Sequence, residues 1–351
     1  MDDELAPGEG SGPGAGEGTR PGTGEVEQRP AETPGQTGKV RSIPAQTGRP
    51  RSEPPKAGPG ARGGLLALLA ATRVATTEQC RRLVTPDATT PRYVLRALTE
   101  LAAEGMVLAV PHGRARHLVW ALTDKGARGY ADAGLGPRPH RPAASVLRSG
   151  LLHHALAVTG VIAAMAPAGA ELADWSIEVV HRYGVGPQGK LVTDAVLHRP
   201  AATDALPPVV LVELDRATMS VDRLLGELLA YHRYASTWVP RPYSRRTRCV
   251  APQRDYPVLG YGSYGPHCPP ILVVIDAPAE VAQRRAIRLM DRLGRTVTDQ
   301  LDIGVVRAAV LAERGPLAPI ITPADDMRAR LPLGKLPGRP RPERQDGDPW
   351  P

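Results

Sequence analysis

Residues 90–122 read TPRYVLRALTELAAEGMVLAVPHGRARHLVWAL, and a change of period inside that stretch decides the fold of the N-terminal half. Val94, Leu95, Leu98, Leu101 and Ala102 recur at three-and-four spacing, which predicts a helix from about Thr90 to a glycine stop at Gly105. Arg92, Arg96 and Thr99 fall off that apolar stripe. Two short apolar runs follow, Met106–Val110 and Leu118–Leu122. The turn Pro111–His117 between them carries Arg114 and Arg116, so the pair reads as a hairpin with a basic tip. Upstream, Gly64–Thr72 reads as an apolar helix. Thr76-Thr77-Glu78-Gln79 then opens a second helix with a threonine cap and an acidic first turn, and Cys80, Leu83 and Val84 share its inner face. Downstream, Thr123-Asp124-Lys125-Gly126 caps a further helix through Tyr130.

Three helices and a basic hairpin, in this order, make a winged helix, expected over residues 63–135. Such a unit sends its third helix into the major groove and its wing to the backbone or minor groove. The expected DNA contacts are therefore Arg92, Arg96 and Thr99, with Arg114 and Arg116 from the wing. Charge is concentrated where this reading needs it. Residues 63–142 hold eleven basic against six acidic side chains, in a chain of net charge +8. A protein-docking module with a solvated basic turn is the competing reading of the same pattern.

Glycine and proline crowd the two ends of the 351-residue chain, where apolar runs vanish. Residues 1–62 and 333–351 are expected to be disordered tails, and residues 136–144 a linker. Cys80, Cys249 and Cys268 are far apart and show no metal-ligand spacing, so neither a disulfide framework nor a zinc site is suggested. No apolar run approaches the roughly 20 residues of a membrane helix, and the N-terminus is acidic and glycine-rich. A cytoplasmic protein with no membrane partner is expected.

Residues 145–325 carry strand signals at Trp175–Tyr183, Leu191–Leu197, Pro208–Leu214 and Ile271–Ile275, with Ile303–Leu311 and Ile320–Ile321 as late strands. Helices are expected at Ser145–Met165, Thr218–Tyr234 and Ala279–Leu293, which together predict an α/β (α+β) domain. Residues 238–269 interrupt it with a basic, aromatic insertion. Arg245, Arg246 and Arg248 stand there among tyrosines, a mixture suited to single strands or to a long solvated loop. Asp194 falls in one strand, and Glu213 and Asp215 end the next. Paired carboxylates of this kind suit a shared Mg²⁺ ion and phosphodiester hydrolysis, so these three are the candidate metal and catalytic residues.

That arrangement resembles the restriction-endonuclease-like core, whose pattern places a lysine two residues after the second acid. Asp215 stands at that position here. The helix Thr218–Tyr234 supplies no substitute lysine, only Arg223 and Arg233. The chain as a whole resembles the replication-relaxation family of actinobacterial and plasmid-associated proteins. The residues carrying this resemblance are Thr76-Thr77-Glu78-Gln79, Arg92 through Gly105, the wing with Thr123-Asp124-Lys125-Gly126, His153-His154, Trp175 with Glu178, Thr193-Asp194-Ala195, and Val212-Glu213-Leu214-Asp215-Arg216-Ala217-Thr218 leading to Tyr231. In the family pattern a lysine precedes position 231 by four, where this chain has Glu227.

The resemblance implies a winged helix followed by a restriction-endonuclease-like α/β domain. It also implies a DNA-binding accessory role in plasmid or mobile-element replication, relaxation or transfer, with DNA and relaxase or replication proteins as partners. Two alternatives stay open: a Mg²⁺-dependent DNA endonuclease, and a winged-helix transcriptional repressor whose second domain is a module for homodimer formation or for sensing.

Overall fold

A computed structural model describes residues 59–113, 117–136, 146–147, 150–182, 190–199, 205–236, 257–258, 262–263, 267–336 and 338–340. The first helix, α1, runs Pro59–Thr72, so the chain folds from before the expected boundary at 63. Strand β1 (Val74–Thr76), α2 (Thr77–Val84), α3 (Arg92–Ala103), the hairpin β2 (Val107–His112) and β3 (His117–Leu122), and α4 (Asp124–Asp132) complete a helical head. Thr76 and Gln79 close a capping box on α2, and the Thr123 hydroxyl accepts from the Gly126 amide to start α4. Strand β1, too short to show a period, pairs antiparallel with β3 and makes the sheet three-stranded, order β1-β3-β2. Leu65, Leu68, Leu69, Val94, Leu98, Leu101, Val107 and Trp120 fill the core of this head.

The rest is a six-stranded mixed sheet between two helical layers. It is built from β4 (Trp175–Arg182), β5 (Lys190–His198), β6 (Val209–Asp215), β7 (Ile271–Ile275), β8 (Ile303–Arg307) and β9 (Thr322–Pro323), in the order β9-β8-β7-β6-β5-β4. β6, β7 and β8 are parallel, and β5, β4 and β9 pair antiparallel with their neighbours. Side chains alternate faces along a strand. Val209 and Leu211 pack with α6 (Val221–Ser236) and α7 (Ala279–Thr298), while Val210, Val212 and Leu214 pack with α5 (Leu152–Met165) and α8 (Ala308–Arg314). Parallel strands covered on both faces read as unbroken apolar runs, as Ile271–Ile275 does.

Three expectations are corrected. Ile303–Leu311 is not one strand, because Ala308–Arg314 turns into a helix of good helix formers stopped by Gly315 at φ 72°. Ile321 forms a single bridge with Leu331, and the edge strand lies one residue later. The C-terminal segment stays folded past 333, with Leu333 and Leu336 buried against the sheet. The tail 1–58, the linker residues 137–145, Arg114 and Arg116 lie outside the described residues, as does nearly all of the insertion, including Arg245, Arg246 and Arg248.

Helix α5 joins head and sheet. Its Thr159 hydroxyl donates to the Val74 carbonyl at 2.9 Å, and Gln79 of α2 donates to the Leu156 carbonyl at 2.8 Å. Arg73 makes a bidentate ion pair with Glu178 of β4, at 2.5 and 2.8 Å. Both residues have positive φ, 68° and 50°, a conformation that costs a side-chain-bearing residue energy and that the pairing helps to hold.

Candidate functional sites

On α3 the inner residues Val94, Ala97, Leu98 and Leu101 are buried, which turns Arg92, Leu95, Arg96 and Thr99 outward in one helical row. Arg92 and Thr99 are exposed, and the Thr99 hydroxyl donates back to the Leu95 carbonyl. Arg96 donates to Glu100 at 2.9 Å, an i,i+4 surface pair that releases its guanidinium at little cost.

The carboxylates lie at the C-terminal end of β6 and, beside it, in the middle of β5. The β5–β6 ladder stops at Ala195 and Val212, and one residue beyond it the Asp194 side chain substitutes for a backbone carbonyl, accepting from the Leu214 amide at 2.7 Å. Its other oxygen meets Nε2 of His154, from the first turn of α5, at 3.0 Å. This hydrogen bond raises the His154 pKa above its ordinary value, against the opposing effect of burial. Glu213 is buried on β6 and accepts from the Tyr231 hydroxyl at 2.7 Å. Burial, and then the nearby Asp194 carboxylate, push the Glu213 pKa well upward, and a hydrogen bond shared with Glu227 of α6 acts in the same direction. The Glu227 pKa is raised too, first by its own partial burial and then by Asp194.

Asp215 shares a sheet face with Glu213 but belongs to a different pair. Arg285 of α7 clamps it bidentately, Nε at 2.6 Å and Nη2 at 2.9 Å, and donates a third bond to the Met219 carbonyl. The Ala217 amide also donates to Asp215, closing the turn that leaves β6. The Arg285 side chain is itself largely buried.

Mg²⁺ needs ionised oxygens that converge on one point. Asp194 already meets His154 and a backbone amide, Glu213 is buried against Tyr231 with its pKa pushed upward, and Asp215 is clamped by Arg285. The three carboxylates do not fit a shared divalent ion. Among the described residues no group of three or more His, Cys, Asp or Glu is placed to hold a metal.

What remains open to solvent is a groove of about 580 Å³ between β5 and α6, lined by Lys190, Val192, Asp194, Glu213, Arg223, Gly226, Glu227, Ala230 and Tyr231. The groove also takes in Lys190, the first residue of β5, the strand beside β6. A family model described as replication-relaxation matches residues 66–246, which takes in the head, the strands of the acidic cluster and α6. The chain belongs to the replication-relaxation family. No curated protein and no solved structure matches it. For this replication-relaxation protein the family match spans both α3 and the groove, so the two are parts of one family unit. Among the described residues no helix is long and apolar enough to cross a membrane.

Proposed function

We propose that this protein is a DNA-binding accessory factor of plasmid or mobile-element replication, relaxation or transfer. In this reading the head is a winged helix that engages duplex DNA through α3, and the sheet is a nuclease-like scaffold that does not cleave. The observation that carries the reading is the outward row of Arg92, Leu95, Arg96 and Thr99 on a helix whose opposite face is fully buried. Phosphate contacts release counterions, so affinity should fall steeply with salt. Each arginine that contacts a phosphate contributes about 0.9 to the slope of log affinity against log salt. Salt titrations of duplex binding by Arg92→Ala and Arg96→Ala test it: weaker binding and a slope lower by about 0.9 for each are expected. Unchanged affinity and slope in both variants would remove α3 from the interface.

A second reading, Mg²⁺-dependent cleavage, is favoured by one observation, the presence of Lys190 beside Asp194 and Glu213 in the same groove. It requires that substrate or metal first displace His154 from Asp194 and hold Glu213 ionised against its burial. Relaxase or replication proteins, and a second copy of the chain, are the partners this role proposes.

A further inference from the structure

Gly226 sits in the middle of α6, where glycine is a poorer helix former than alanine. A Cβ built there would meet nothing within 4 Å. Among the described residues no close approach requires a residue so small, and its backbone is helical. The open space in front of it is the groove, so a bare stretch of backbone faces whatever enters from outside. Ala230, one turn further on, continues the same smooth wall, and Val192 of β5, 44% exposed, lines the groove as well.

The groove's charges are sorted. Lys190 and Arg223 are exposed cations, the latter with 69% of its side chain in solvent and a loose 3.7 Å approach to Glu227. Glu227 and Asp194 are half-buried, the latter held by His154 and the Leu214 amide, while Glu213 and Tyr231 are buried. A ligand that matches this order has a flat ring, an amine at the ring edge, and a phosphate outside. The volume of about 580 Å³ falls within the usual range for small-ligand sites.

We infer that the groove takes one unstacked base of a single-stranded nucleic acid, its ring laid on Gly226 and Ala230, its exocyclic amine donating to Glu227, and its phosphate met by Lys190 and Arg223. A carboxylate accepts well from the amine of cytosine, and thymine has no amine to offer. Cations along the strand supply the sequence-independent part of the affinity. The inference shares with the proposed function only the choice of a polynucleotide as ligand, since duplex binding by α3 is a separate contact.

The test uses the full chain and fluorescence anisotropy with short labelled oligo(dC), oligo(dT) and duplex DNA, together with melting curves. Oligo(dC) is expected to bind about tenfold tighter than oligo(dT), and Glu227→Ala should abolish that preference. Gly226→Leu should weaken single-strand binding about tenfold or more while leaving duplex affinity unchanged, because leucine fills the groove. It should not lower the melting temperature, since leucine is the better helix former in open space. Equal binding of the two oligonucleotides by the wild type, or single-strand affinity untouched by Gly226→Leu, would overturn the inference. Loss of duplex binding in Arg92→Ala with the cytosine preference intact supports it and shows the two contacts to be independent.

Discussion

The outer face of α3 and the acidic end of β5 and β6 are both clusters of charge, and they differ in where their partners lie. On α3 Arg92 faces solvent, and Arg96 pairs with Glu100 as a part-buried i,i+4 helical pair of modest worth. At the sheet end every acid has an internal partner: His154 and the Leu214 amide for Asp194, Tyr231 and Glu227 for Glu213, and Arg285 for Asp215. A charge without an internal partner is available to a polyanion. A charge consumed by its own fold is available for little else, and its removal shows in stability before it shows in binding.

That contrast breaks first, if it breaks at all, at Arg285. Its truncation to alanine leaves Asp215 buried without a counter-charge, and the expected cost is about 3–5 kcal/mol in urea unfolding. A loss near that of an exposed arginine would mean that Asp215 is solvated and free for other chemistry.

Glu213→Gln sharpens the comparison through pH. A group whose pKa is raised in the folded state stabilises the fold fully below its unfolded value and ceases to do so as pH rises through the folded value. For Glu213 the loss therefore begins above its ordinary value of 4.5, and for His154 above 6.5. Wild-type stability should fall as pH is raised across this window. Glutamine mimics the protonated acid, still accepting from Tyr231 and donating to Glu227, so the variant should be more stable than wild type at pH 8 by on the order of 1 kcal/mol. Melting curves at pH 5 and 8 read this directly, and a variant less stable at pH 8 would place an ionised carboxylate at Glu213.

The smallest effect lies at the junction of head and sheet. Arg73→Ala loses the pairing with Glu178 and keeps the unfavourable backbone at φ 68°, whereas Arg73→Gly loses the pairing and relieves the backbone. The glycine variant should be the more stable of the two by about 1 kcal/mol in denaturant unfolding.

Much of the fold is legible in the sequence because it rests on local patterns. The α3 stripe, the Thr76 and Thr123 caps and the apolar runs of β6 and β7 each announce themselves within a dozen residues. Strand β1 escapes such reading because three residues carry no period, and α8 is masked by the apolar strand that runs into it. The site is less legible, since its chemistry is set by partners distant in sequence. Period two places Glu213 and Asp215 on one face, which suggests a pair, but Arg285 reaches Asp215 from 70 residues away. Lys190 lies ahead of the acids rather than behind them, so a search along α6 passes over it. Glu227 stands out in the sequence only as the absence of a lysine; in the structure its hydrogen bond with Glu213 adds to the burial that raises the Glu213 pKa.

The most direct test of the central claim, a DNA-binding head on an acid cluster satisfied by its own fold, is to incubate the full chain with supercoiled, linear and single-stranded DNA. Mg²⁺, Mn²⁺ or chelator would be present, with binding and strand breakage read in the same samples. Salt-sensitive binding with no breakage under any of these conditions is the predicted result. Metal-dependent breakage that disappears in Glu213→Gln would contradict it.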